Sequence, residues 1–198
     1  MTGADRRPRG VVVVVHGGQS VSTEPTSAVQ LAVLRMIPIE RAIRHAVRDD
    51  PVVVCRPRFR VRGWNGADAS PVRDLTEVLD DVTRRFGAVP VVLVGHSMGA
   101  RAALRAAGHP AVSAVTGLAP WLPAGEPVAQ LAGRRILLAH GSADRVTSPA
   151  DTWAYAHRAR SFTQVTAVEV RHGDHALLLR AHLWHQIAAQ SARGSLGL

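Results

Sequence analysis

Three side chains far apart in the sequence carry the chemistry of an acyl-transfer site. Ser97 lies within Gly95-His96-Ser97-Met98-Gly99 and fits the pattern G-x-S-x-G. In that pattern a serine sits in a strained turn that lifts its hydroxyl clear of a sheet, and the flanking glycines let neighbouring backbone approach. A serine hydroxyl is a weak nucleophile until a base takes its proton. His175, in Arg171-His172-Gly173-Asp174-His175, is placed to be that base and to return the proton to a leaving group. His172 competes for the role, and a surface or helix-start histidine is the plainer use of either. Asp144, in His140-Gly141-Ser142-Ala143-Asp144, could accept a hydrogen bond from an imidazole, fix its tautomer and stabilise its protonated form. An Asx-turn or a cap before the next helix is the other use of the same residue. The tetrahedral intermediate of such a reaction carries an oxyanion, which needs two preorganised N–H donors. Met98, following the serine, offers one; His16-Gly17-Gly18-Gln19-Ser20 offers the other through Gly18 or Gln19, unless this glycine pair only turns the chain.

These segments act together only if the fold gathers them, and apolar periodicity says how it would. Residues 11–15 are all valine and stop at His16-Gly17-Gly18, the pattern of a strand buried on both faces. Further strands are expected at 52–54, also buried, and at 91–94, 112–118, 136–139 and 165–170. Val29, Val33, Met36, Ile39, Ile43 and Val47 recur at helical spacing and predict a helix over 27–48, kinked or broken at Pro38. A second helix is expected over 72–86, with Ser70 as N-cap and Pro71 in its first turn. Others are expected over 98–107, 149–160 and 176–192. Residues 119–134 are rich in proline and glycine and read as a loop with at most one short helix, a lid-like insertion at most. Strand alternating with helix implies right-handed crossovers. The expected architecture is therefore α/β, a doubly wound, mostly parallel six-stranded sheet with helices on both faces, as one domain over 1–198. Sites on such sheets lie beyond the carboxyl ends of the strands, and all four chemical segments follow a strand.

Composition narrows the function classes. The hydrophobic fraction of 46% over 198 residues supports one substantial core. The net charge of +9 and the isoelectric point near 11.5 suggest nucleic acid, but every basic residue other than histidine is arginine, which by itself drives the isoelectric point upward. The arginines are spread along the chain without the block that a nucleic-acid arm would show, so no nucleic-acid partner is expected. Cys55 is the only cysteine, which excludes an intramolecular disulfide and a cysteine-built zinc site and is compatible with a reducing interior. The charged start leads into a valine run far too short for a signal-peptide core or a membrane span, so no membrane partner and a cytoplasmic location are expected. No metal or organic cofactor is implied, because serine, imidazole, carboxylate and backbone amides suffice for acyl transfer.

Together these features resemble the α/β-hydrolase superfamily over nearly the whole chain. His16-Gly17-Gly18 is similar to its oxyanion motif, Gly95 to Gly99 to its nucleophile elbow, His140-Gly141 with Asp144 to its HGxxD acid loop, and Gly173-Asp174-His175 to its histidine loop. Arg62-Gly63-Trp64-Asn65-Gly66 is similar to an RGxG-type turn that many members carry. The chain order Ser, Asp, His matches as well. The resemblance implies that Ser97, Asp144 and His175 are nucleophile, acid and base, and that a small ester or thioester is cleaved through an acyl-enzyme on Ser97. Acyl transfer from the same intermediate, or a non-catalytic binding protein on the same fold, are the alternatives. Few residues precede the first strand and 119–134 is too short for a cap domain, so a nearly capless core with an open site is expected. Trp64, Trp121 and Leu122 are candidate substrate-binding walls, or ordinary loop packing. Arg56, Arg58, Arg60 and Arg62 alternate and would face an acidic substrate together in an extended chain, or else form a solvated, ion-paired edge. Trp153 and Trp184 read as core, Cys55 as a buried strand end, and Asp68 and Asp74 as turn or helix-start residues.

Overall fold

β-branched and small apolar residues fit a pleated surface covered on both sides, and they build the centre of this protein. The structure is a computed structural model that describes residues 7–198. Its strands are β1 (Gly10–Val15), β2 (Val52–Cys55), β3 (Val91–His96), β4 (Val112–Leu118), β5 (Arg135–Gly141) and β6 (Val165–Val170). They form one six-stranded sheet in the order β2-β1-β3-β4-β5-β6, every neighbouring pair parallel. Every residue of β1 and β3 is buried, because both strands have a neighbour on each side and helices above and below. Only Val54 of β2 is fully buried, which corrects the expectation of a buried second strand: β2 lies at the edge of the sheet.

The helices are α1 (Leu31–Leu34), α2 (Met36–Ala46), α3 (Ser70–Phe86), α4 (Met98–Arg105), α5 (Pro149–Ala159) and α6 (Ala181–Leu196). Side chains alternate across β1. Val11, Val13 and Val15 join a core with Leu75, Leu79, Leu104 and Tyr155, whereas Val12 and Val14 face Met36, Ile39, Ile43 and Trp184. Thus α3, α4 and α5 cover one face, and α2 and α6 the other.

Four helix boundaries differ from expectation, each for a local reason. The first helix does not begin near residue 27, and Val29 stands exposed. It also breaks at Arg35, not at Pro38, which lies in the first turn of α2, where a missing N–H costs nothing. Ser70 is inside α3 and caps nothing; the chain enters the helix through Ala69 in a left-handed conformation, φ 43°. The last helix starts at Ala181 and not near 176, because the Asp174 carboxylate takes the N–H groups of Leu178 and Leu179 into a separate turn.

Residues 119–134 contain a single 3-10 turn, Ala129–Leu131, and are fastened to α4. Glu126, buried in this segment, accepts hydrogen bonds from Arg101 (2.8 Å) and Arg105 (2.7 Å). The Arg101 guanidinium also lies 3.8 Å from the ring centre of Trp64 and 4.4 Å from that of Trp121. A planar, weakly hydrated cation suits this sandwich better than an ammonium would. Removing the carboxylate strands a buried guanidinium, so Glu126→Ala should lose about 3 kcal/mol of stability. Urea unfolding measures this, and an unchanged midpoint would show that the clamp is not structural.

Candidate active site

The loop between β3 and α4 is held in a conformation that a serine avoids when free. Ser97 has φ 53° and ψ −119°, which costs about 1–3 kcal/mol and persists only where the surroundings over-determine it. Here they do. The Ser97 N–H donates to the Leu118 carbonyl (3.1 Å), and its own carbonyl accepts from the N–H groups of Ala100, Arg101 and Trp121 (3.1–3.2 Å). The flanking glycines allow the close packing behind this turn: a methyl group on Gly95 would come 2.6 Å from Ala100 N, and one on Gly99 would clash with the His16 carbonyl oxygen.

That contact brings the loop after β1 to the serine. A methyl group on Gly17 would lie 3.3 Å from Ser97 Cβ, and one on Gly18 would collide with the Met98 side chain. Buried His16 shapes this loop: the Phe59 N–H donates to Nε2 (3.1 Å), so Nδ1 carries the proton and donates to the Gly17 carbonyl (2.6 Å). Burial holds His16 below the ordinary histidine pKa, with Arg56 and Arg58 acting in the same direction. Among the described residues the N–H groups of Gly18 and Met98 have no hydrogen-bond partner. The Gln19 N–H does have one, the Arg62 carbonyl at 2.9 Å, so Gln19 is withdrawn as an oxyanion donor and Gly18 is left.

On the other side of β3, the loops after β5 and β6 meet. Asp144 Oδ2 accepts from His175 Nδ1 (2.8 Å), His140 Nε2 (3.1 Å) and the Thr147 hydroxyl (3.0 Å), while Oδ1 accepts from the N–H groups of Val146 and Thr147. Burial alone would raise the pKa of this carboxylate; the bonds from His140, His175 and the backbone outweigh it and hold the pKa far below the usual range. With its Nδ1 proton on Asp144, His175 presents Nε2 as its basic nitrogen. Asp144 thus uses one oxygen as a helix-approach turn and the other for an imidazole, both of the readings open in the sequence. Its side chain is fully buried and that of His175 is 13% exposed.

His96 joins the halves. Its Nε2–H donates to the His175 carbonyl (2.8 Å), and the rings lie 4.9 Å apart between centres. Its Nδ1 is buried without a partner among the described residues. Ser97 Oγ makes no hydrogen bond among them; the link between the elbow and the histidine loop runs through its neighbour His96. His96, His140, Thr147 and Thr152, which bonds His140 Nδ1 at 2.7 Å, were not singled out from sequence. The two histidines flank or precede recognised motif residues, and that adjacency was the only signal.

Other candidates separate from this centre. Trp64 and Leu122 are buried in the core, Trp64 beneath Arg101, and neither can wall an open site. Half-buried Trp121 touches the elbow through its backbone bond to Ser97. His172 is exposed and bonds Ser142 only through its backbone N–H. Asp68 is exposed, and Asp74 accepts the Arg60 N–H at 2.7 Å. Arg56, Arg60 and Arg62 pair with Glu40, with Asp74 and Glu77, and with Glu24. Cys55 is pushed up to about 11 by burial, which leaves it an inert thiol. Trp184 is core as expected, whereas Trp153 is half-buried against His140.

A cleft of about 320 Å³ opens beside the glycine loop, lined by His16, Gly17, Gly18, Gln19, Leu31 and neighbours. A larger cavity, about 630 Å³, lies at the opposite ends of the strands, around Pro90, Ala111 and Arg135. Its position at the amino ends separates it from the chemistry. Among the described residues no group of three or more His, Cys, Asp or Glu side chains is arranged for a metal ion, and no helix is long and apolar enough to cross a membrane.

Comparison with known proteins identifies the family and the fold. A family model, "Alpha/beta hydrolase family", matches residues 12–190. The chain is similar in structure to Est1E from Butyrivibrio proteoclasticus, with a TM-score of 0.73 and 11% identity, covering 100% of this chain and 93% of that one. It is also similar to an alpha-beta serine hydrolase homologue from Coxiella burnetii (TM-score 0.69, 16% identity, 92% and 85% covered). XC6422 from Xanthomonas campestris, described as an a/b serine hydrolase without lid, gives a TM-score of 0.62 at 21% identity, with 99% and 84% covered. At these identities the likeness is one of fold. The curated proteins gave no match.

The buried His96 makes the site sensitive to acid. Burial, with the nearby His175 adding to it, pushes His96 from 6.5 down to about 3. The folded protein therefore keeps His96 neutral while the unfolded chain takes up a proton, so its contribution is complete above pH 6.5 and is lost as pH falls toward 3. The loss is up to about 1.4 kcal/mol per pH unit. Urea unfolding between roughly pH 4.5 and 6.5 should show a slope shallower by about one proton in His96→Gln than in wild type. Equal slopes would contradict a neutral, buried His96.

Proposed function

As the chain belongs to the alpha/beta hydrolase family, we propose that it cleaves a carboxylic ester or thioester of a small substrate through an acyl-enzyme on Ser97. The observation that carries this reading is the 2.8 Å bond from His175 Nδ1 to Asp144, in a loop that His96 ties to the strand end where Ser97 is held at φ 53°. In the first step Ser97 Oγ attacks the carbonyl carbon, and His175 Nε2 takes its proton. The negative charge that develops on the carbonyl oxygen is met by the free N–H groups of Gly18 and Met98. Asp144, kept ionised by its donors, stabilises the imidazolium, which then protonates the departing alcohol or thiol as the C–O or C–S bond breaks. Water, deprotonated by His175, attacks the acyl-enzyme and releases the acid and the serine. Hydrolysis is favoured over acyl transfer because Gly18, Gln19 and Ser20 are exposed, and nothing among the described residues excludes water from the intermediate. A lone, half-buried thiol suits a reducing compartment, and we place the protein in the cytoplasm.

Intact mass after treatment with a fluorophosphonate tests this directly. Wild type should gain one adduct, mapped to Ser97, and Ser97→Ala none; His175→Ala should label slower by about 10³-fold or more. Asp144→Asn should lower kcat by roughly 10⁴-fold on any ester that wild type cleaves. No adduct on folded wild type would overturn the reading, and labelling at full rate in His175→Ala would remove His175 as the base.

A further inference from the structure

The exposed apolar side chains of this protein are not scattered. Of the eight large ones among the described residues, seven lie in segments that follow strands at the carboxyl end of the sheet. Leu31, Leu34 and two valines follow β1, Val146 follows β5, and Leu178 and Leu179 follow β6. Phe162 alone lies elsewhere, between α5 and β6. Isolated exposed apolar residues need no explanation, but their concentration in segments that follow strands points to a binding surface at that end of the sheet.

We propose that the site takes a neutral ester with an aliphatic acyl chain, seated in the cleft between the Gly17-Gly18 loop and α1, and with an apolar alcohol lying against Leu178 and Leu179. This rests on Ser97 being the nucleophile and His175 the base. The direction follows from proton transfer. The leaving oxygen must meet His175 Nε2, so the alcohol points toward the loops after β5 and β6, which carry Val146, Leu178 and Leu179. In the strand order the loop after β1 lies on the other side of β3. The acyl arm therefore runs past Gly18 and into the cleft of about 320 Å³, where Leu31 and Ala32 form the apolar wall and Gln19 and Gln30 the polar lining. That volume is at the small end of ligand sites, about 300–1,000 Å³, and suits a short to medium chain.

Charge points the same way. The only charged group lining the cleft is Arg62, and it is held by Glu24 and by the Pro25 carbonyl (3.2 Å). Arg56 and Arg60 are likewise engaged by carboxylates, and Arg58, exposed and without a carboxylate partner among the described residues, does not line the cleft. An anionic acyl group would find no free partner among them, whereas methylenes on Leu31 gain by leaving water.

Two measurements keep this inference separable from the hydrolase reading. In the first, kcat/KM is measured for p-nitrophenyl esters from acetate to decanoate. Wild type should rise by about threefold per added methylene until the cleft is filled. In Leu31→Ser the ratio of octanoate to acetate should fall about tenfold, while Phe162→Ser at the far end should keep the wild-type ratio. In the second, Ser97→Ala is titrated with 2-decanone, a neutral ketone, and amide NMR shifts are followed. They should move at Gly17, Gly18 and Ala32, and Leu31→Ser in that background should abolish the movement. Binding at these residues without ester cleavage by wild type would leave the cleft assignment standing and overturn the hydrolase. Cleavage with a flat chain-length profile, or ketone shifts elsewhere, would overturn the cleft assignment and leave the hydrolase.

Discussion

A serine with positive φ at the end of a buried strand is stable only if backbone packs directly behind it, and much of the site follows from that constraint. The packing is the approach of Gly99 to the carbonyl oxygens of Val15 and His16, closer than any residue with a Cβ permits. It locks α4 against the end of β1 and so sets the glycine loop beside Ser97. It also leaves the first N–H of α4, that of Met98, unpaired and aimed out of the sheet, as helix N-termini generally are. One steric contact thus positions the hydroxyl and both free amides. The valines of β1 and β3 make it rigid, since both strands are buried on two faces and paired on two sides.

Around this turn three buried imidazoles act as fixed connectors. His16 joins the end of β1 to the chain at Phe59, His96 joins β3 to the histidine loop, and His140 joins β5 to α5 through Thr152 and to Asp144. Each uses one ring N–H as donor. In His16 and His140 the other nitrogen accepts, and in His96 it is left empty. Neutral imidazole suits this task because it both donates and accepts within a compact, partly apolar ring. A charged group in place of His16 or His96 would need a counter-charge that neither ring touches. The fourth imidazole, His175, shares the Asp144 carboxylate with His140 and differs in being partly exposed.

The strands were legible because valine runs bounded by glycine and proline leave little choice of conformation, and the sheet order is compatible with the alternation of elements. The helix starts were not. At 27–30 the apolar spacing of Val29 mimicked a helix although the residue is exposed, and at 176–180 a side chain, Asp174, captured the N–H groups that a helix would have left free. Ser97, Asp144 and His175 were legible from motif and order, and the fold brings the last two into contact. What sequence could not show is which groups are already engaged. Gln19 and Gly18 are equivalent in the text of the chain, and only the bond to Arg62 tells them apart. Trp64 and Leu122 looked available for a substrate because they follow strands, yet the Arg101–Glu126 pair draws that region into the core.

The same pairing logic offsets part of the net charge of +9 at the carboxyl end of the sheet. Several arginines there are matched locally, Arg101 and Arg105 by Glu126, Arg56 by Glu40, Arg60 by Asp74 and Glu77, and Arg62 by Glu24, whereas Arg35 and Arg58 have no carboxylate partner among the described residues. With Arg62 held by Glu24, the cleft beside the glycine loop offers Leu31 and Ala32 as its apolar contacts, next to Gln19 and Gln30.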